Sequence, residues 1–126
     1  MSALSDYTEN LLLKWLVTTN AATRPTTWYV GLFTSATTDA GGGTELSTGG
    51  YARQAVTFSV TGDTASNTAI IDFVSSGDWA NITNIAVFDA STAGNMLFHG
   101  ALTAARDPAS GDTIRIAAGA LTLTLA

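Results

Sequence analysis

The run Trp28-Tyr29-Val30-Gly31-Leu32-Phe33-Thr34 is dense in aromatic and β-branched residues, the side chains that suit a pleated and half-buried surface. It reads as a strand covered on at least one side. Gly31 interrupts the run with no side chain, which marks a local bend or a place where another group comes close. An amphipathic segment precedes this strand and a glycine-rich connection follows it. Most of what remains looks like further strands of similar length.

Upstream, Ser5 or Asp6 can cap a helix, and Asp6 with Glu9 has the spacing of a capping box with aspartate in place of the usual hydroxyl residue. Tyr7, Leu11, Leu12, Trp15 and Leu16 then fall on one side at helical spacing, and Leu13 and Val17 widen that side. A helix over 5–19 is expected, either well buried against the sheet or shared with another subunit. Thr23-Arg24-Pro25 should stop it, because the residue before a proline is pushed out of the helical region.

Downstream, Ser35 to Gly50 is a polar connection containing Gly41-Gly42-Gly43 and Gly49-Gly50. Connections of this length are usually functional or mobile. It is no phosphate loop, since the lysine-serine or lysine-threonine ending is missing and no helix follows. Alternation resumes from Tyr51 to Val60, with Val56, Phe58 and Val60 sharing a face. Ala69, Ile71 and Phe73 share another face, and Trp79 is expected as a plug at a sandwich edge. Ile85 and Val87 oppose Ala86 and Phe88, so both faces of that strand are apolar and it belongs in the middle of the assembly. Met96 to Leu102, Ile114 with Ile116, and Leu121-Thr122-Leu123-Thr124-Leu125 complete the set, with the last leucines facing the core. The expected fold is mainly β: an antiparallel β-sandwich of about seven strands with one N-terminal amphipathic α-helix, forming a single domain over 1–126.

The composition narrows the function classes. Among 126 residues there is no cysteine, so a disulfide scaffold is excluded and zinc sites that lean on thiolates are unexpected. Hydrophobic residues make up 46% and charged residues only 12%, about half the usual charged share. A surface of threonine, serine, asparagine and glycine suits a protein packed against copies or neighbours. The net charge is −5, and Lys14, Arg24, Arg53, Arg106 and Arg115 are scattered singly, so nucleic-acid binding is discounted. No apolar stretch approaches the ~20 residues of a membrane helix, and membrane insertion is not expected. The start Met1-Ser2-Ala3-Leu4 lacks the basic opening of a signal peptide, which points to synthesis in the cytoplasm.

Candidate chemistry is sparse. His99 is the sole histidine, no Gly-x-Ser-x-Gly elbow accompanies it, and a strand histidine, partly buried or at an interface, is the expected reading. Asp39, Glu45, Asp63, Asp72, Asp78, Asp89, Asp107 and Asp112 fall mostly in turns, where aspartate serves backbone hydrogen bonding. No run resembles an alternating calcium loop. Trp28, Tyr29, Tyr51 and Trp79 would form a sugar-stacking platform if exposed, but core packing is the ordinary fate of strand aromatics. No catalytic, cofactor-binding or metal-ligating residue is therefore assigned, and no cofactor is expected.

Several runs together resemble a family of small tailed-bacteriophage virion proteins described as tail fibre or minor structural proteins. They are Thr8 to Leu16, Arg24 to Thr34, Gly49 to Gln54, Ile85 to Ala90, Gly94 to Phe98 and Ile116 to Leu121, which cover nearly the whole chain in order. The resemblance implies a non-enzymatic virion component, tail-associated or fibre-like, built through protein–protein contacts with other virion proteins. It also implies a homo-oligomer, with a trimer as the first expectation, and contact with the host surface. Two alternatives stay open: a capsid decoration (cement) protein that stabilises the head, and a carbohydrate-binding module.

Overall fold

The structure is a computed structural model that describes residues 3–125. The outermost positions of the expected 1–126 span, residues 1, 2 and 126, lie outside the described residues. In chain order the elements are β1 (Ala3–Leu4), α1 (Asp6–Val17), β2 (Tyr29–Phe33), β3 (Gln54–Ala55), β4 (Phe58–Thr61), β5 (Thr64–Asn67), β6 (Ile71–Val74), β7 (Ile82–Phe88), β8 (Met96–Arg106), β9 (Thr113–Ile116) and β10 (Thr122–Thr124). The protein is mainly β with an N-terminal helix, as the periodicity indicates. The ten described strands form three separate antiparallel sheets rather than one sandwich of seven. A five-stranded sheet runs β1-β8-β7-β2-β3, a three-stranded sheet β10-β5-β4, and a two-stranded ribbon β6-β9.

The anchor run lies in the middle of the large sheet. Within β2, Tyr29 pairs with Phe88, Gly31 with Ala86 and Leu32 with Ile85 across β7, while β3 holds the other edge through Tyr29–Ala55 and Val30–Gln54. Val30, Leu32, Ile85 and Val87 point into a core that also takes Ile71 and Phe73 from β6, Ile114 from β9, Trp79 and Leu121. Phe33, Ala86, Phe88 and Met96 form a second apolar cluster, on the opposite face by strand alternation. That division explains why β7 is apolar on both sides. β7 sits between β8 and β2, the central place its sequence demands.

Four expectations need correction, each for a tertiary reason. The stretch read as one strand from Tyr51 to Val60 is two, because the chain leaves the large sheet after β3 and joins the three-stranded sheet at β4. Val56 at this corner is buried, whereas Val60 is exposed. Trp79 is no edge plug: it is 2% exposed and its indole Nε1 donates to the Gly49 carbonyl at 3.0 Å. The closing leucines do not all face the core, since Leu121 is buried, Leu123 on the edge strand β10 is half-buried and Leu125 just past it is exposed. Ala69, placed with Ile71 and Phe73, is exposed as well.

The helix is shorter than the expected 5–19. Ser5 is its N-cap, accepting from the Thr8 amide at 3.2 Å, and Thr18 is its C-cap. The Ser5 hydroxyl reaches the Met96 and Leu97 carbonyls at the start of β8, and the Ser5 amide donates to Leu97 O at 3.0 Å. One serine thus both caps the helix and fastens it to the sheet.

Candidate protein-contact surface

The helix does not disappear into the fold. No residue of α1 is buried. Leu11, Leu12 and Trp15 face a groove of about 520 Å³, whose other wall and floor come from Trp28, Phe58, Val60, Leu97, Phe98 and Leu123, with Arg24 and Thr8 at the polar margin. Trp28 lies just before β2 and is held there by its carbonyl, which accepts from the Val56 amide at 2.9 Å. On the outer side, Leu13 is 58% exposed, Leu16 68% and Val17 70%, and Trp15 at the groove lip is 70% exposed. Withdrawing one such side chain from water is worth about 1.5–3 kcal/mol, so this surface retains a large unrealised drive for contact.

The glycine-rich connection is tied down, beginning beside the helix N-terminus, where the Asp6 amide donates to Asp39 O at 2.8 Å. Glu45 pairs with Phe33 through an isolated β-bridge, and the Leu46 amide donates to Leu32 O at 2.9 Å, which extends the β3 edge of β2. Arg53 donates to both Glu45 carboxylate oxygens at 2.8 Å, stacks its guanidinium 3.6 Å from the Phe88 ring centroid and donates to the Ala90 and Ala93 carbonyls. The Arg53 side chain is 7% exposed and that of Glu45 25%. Burial opposes ionisation of Glu45, but the hydrogen bonds from Arg53 and Tyr51 outweigh it and hold the carboxyl below its usual range. Burial, and then the hydrogen bond to Glu45, push the Tyr51 phenol well up. Gly31 is explained here, because a Cβ at that position would lie 2.9 Å from Glu45 Oε2, 3.0 Å from Tyr51 Oη and 3.2 Å from Phe88.

His99 anchors the first half of the same connection. It lies on β8, is 7% exposed, and its Nδ1 is 2.7 Å from the Thr37 hydroxyl while Nε2 is 2.9 Å from Asp39 Oδ1. Asn84 Nδ2 donates to the same Thr37 hydroxyl at 3.2 Å. The imidazole therefore has both nitrogens committed to holding residues 37–39 against the sheet. The arrangement is a tether, with no serine or cysteine nucleophile in its hydrogen-bonding circle.

Four of the acids cap backbone amides, two of them locally and two across 32 and 26 residues of sequence. Asp78, Asp89, Asp107 and Asp112 accept from the backbone amides of Ser110, Asn95, Asn81 and Ala109. Asp72 lies on β6 and meets Arg115 of β9 in a two-pronged surface pair at 2.8 and 3.0 Å, while the Asp39 and Glu45 carboxylates meet His99 and Arg53. Among the described residues no group of three or more histidines, cysteines, aspartates and glutamates is placed to hold a metal ion. The four aromatics singled out as a sugar platform do not form one: Tyr51 packs on Phe73 and edge-on against Trp79 in the interior, while Trp28 lines the groove. Among the described residues no helix is long and apolar enough to cross a membrane.

The uncovered helix face was foreshadowed by the breadth of its apolar side. The Glu45–Arg53–Tyr51 cluster was not, because no local pattern says that an acid inside a glycine-rich loop will meet an arginine eight positions later. The family model described as Podophage GP4 fiber I protein gp80 matches residues 3–124. No curated protein matches the chain.

Proposed function

Since the chain belongs to the podophage GP4 fiber I protein gp80 family, and is thus a virion structural protein of the fibre-like kind acting through protein contacts, we propose that it works in the tail as one domain in a closed homo-oligomer, with a trimer as the first expectation. The observation that carries this reading is the apolar face of α1, which stands open beside an apolar groove in the isolated chain. A component held by its neighbours is expected to keep such a face and few surface charges, whereas a free monomer is not. The reading assigns no residue to catalysis, a metal or a cofactor; it assigns the work to surfaces. Residues 35–50, tied by His99 and Arg53, are polar and mostly exposed, which suits contact with a neighbouring protein or the host surface.

The test is the copy number and position of the protein in purified particles, by cryo-electron microscopy with quantitative mass spectrometry. Density confined to the tail in small copy number supports the proposal. Density over the head lattice in hundreds of copies would overturn it in favour of capsid decoration.

A further inference from the structure

We propose that the C-terminal half of α1 and the groove beside it are the contact between copies of this chain, each copy covering the exposed leucines and Trp15 of the next. The inference rests on the oligomeric reading above and goes further by naming the surface.

The first argument is area. Leu12, Leu13, Trp15, Leu16 and Val17, with Val60 across the groove, expose between 39% and 73% of their surface. Together that is roughly 700 Å² of nearly contiguous surface, above the ~300–600 Å² of the largest patch on a typical monomer and close to the ~800 Å² each partner contributes to a standard stable interface. Nothing else on the described surface offers a comparable area. Val74 and Ile70 are also exposed but lie at and beside β6, and Leu125 follows β10 beyond Leu123.

The second argument is shape. The patch carries a ridge and a trough side by side, the ridge being Leu13, Leu16 and Val17 and the trough the groove floored by Phe58 and Phe98. A threefold rotation that lays the ridge of one copy into the trough of the next buries both, and three such head-to-tail contacts close the ring. A foreign partner would have to supply a matching ridge and a matching trough.

The third argument is charge. Residues 12–17 read Leu-Leu-Lys-Trp-Leu-Val, with the ammonium of Lys14 the sole charge, whereas Asp6 and Glu9 lie in the first turn. A contact restricted to the last two turns keeps the four acids of two copies away from each other. Lys14 stays free to turn its head to water along the rim, as long cationic side chains do.

The experiment compares wild type with the triple variant Leu13→Gln, Leu16→Gln, Val17→Thr by sedimentation equilibrium over a wide concentration range, with circular dichroism as the folding control. All three side chains are at least 58% exposed, so the protomer should fold unchanged. Val17→Arg alone serves as a second variant. The expected result is an assembled wild type, a blue shift of the tryptophan emission on assembly as Trp15 and Trp28 leave water, and at least a tenfold weakening of self-association in both variants. Variants that assemble as wild type does would overturn the proposed surface. So would a wild-type chain that stays monomeric at the highest concentration, or one that instead binds anionic phospholipid vesicles through α1. Particle mass spectrometry keeps the readings distinguishable: a protein present in virions yet monomeric alone refutes this contact and leaves the virion assignment standing.

Discussion

Glu45 shows how one side chain closes a long loop onto a sheet. Its carboxylate takes two hydrogen bonds from Arg53 and one from Tyr51, while Arg53 is itself pressed on Phe88. Removing one member of a fully buried ion pair costs about 3–5 kcal/mol. With Glu45 still 25% exposed, Glu45→Gln should cost less, about 2 kcal/mol by urea denaturation at neutral pH. The folded protein holds this carboxyl more acidic than the unfolded chain does. Its contribution is therefore complete above the unfolded value near 4.5 and is lost as pH falls through the lower folded value. The stability gap between wild type and Glu45→Gln should shrink as the denaturation series is carried below that value, and a gap independent of pH would show the pair to be idle. Gly31→Ala makes a second prediction at this scale. The added methyl would press on Glu45 and Phe88 at 2.9 and 3.2 Å, and a loss of about 1–3 kcal/mol should follow in the same assay.

Elements here are held at their ends. α1 has no buried residue, and much of its anchorage falls to its start, where Ser5 is 2% exposed and bonded to both Thr8 and the first carbonyls of β8 while the Asp6 amide donates to Asp39 O. Ser5→Ala removes a cap and leaves buried carbonyls short of a donor. A cost of about 1–2 kcal/mol is expected, read as a lowered thermal midpoint. The loop after β2 is tethered the same way by His99. His99→Ala should release residues 37–39, so that their amides exchange faster with deuterium while the amides of β2 and β7 keep their protection. Faster exchange throughout the sheet would mean instead that His99 supports the core. Both helix and loop were visible in the sequence as elements. Their anchors were not, because Ser5 to Met96 and His99 to Asp39 span 91 and 60 residues, beyond the reach of any local periodicity.

For the whole molecule, the large sheet is covered on one face by the two smaller sheets and on the other by the loop that His99 and Arg53 secure. The structure thereby commits its aromatic residues to the interior, apart from those around α1. This leaves one surface with an unmet apolar demand, and the low charge content of the chain becomes intelligible as the mark of a protein that meets neighbours on that side. The helix reading stated two outcomes, burial within the subunit or sharing with another. With no residue of α1 buried, the chain by itself does not achieve the first.

Periodicity and composition determined by themselves that this is a mainly β protein with an N-terminal amphipathic helix, that β7 is central, and that most of the aspartates fall in turns and loops. These are local or nearest-neighbour properties, written in side-chain alternation and turn chemistry. Only the tertiary structure decided that the strands divide into three sheets, because the switch at Val56 interrupts no pattern in the sequence. Likewise Thr64 to Asn67 became a strand without large apolar residues, since β4 and β10 on its two sides supply the hydrogen bonds that its composition does not advertise. The exposed face of α1 was the last thing to be decided. An apolar stripe records that a helix seeks a partner, and whether its own sheet satisfies that demand depends on where the other strands come to rest.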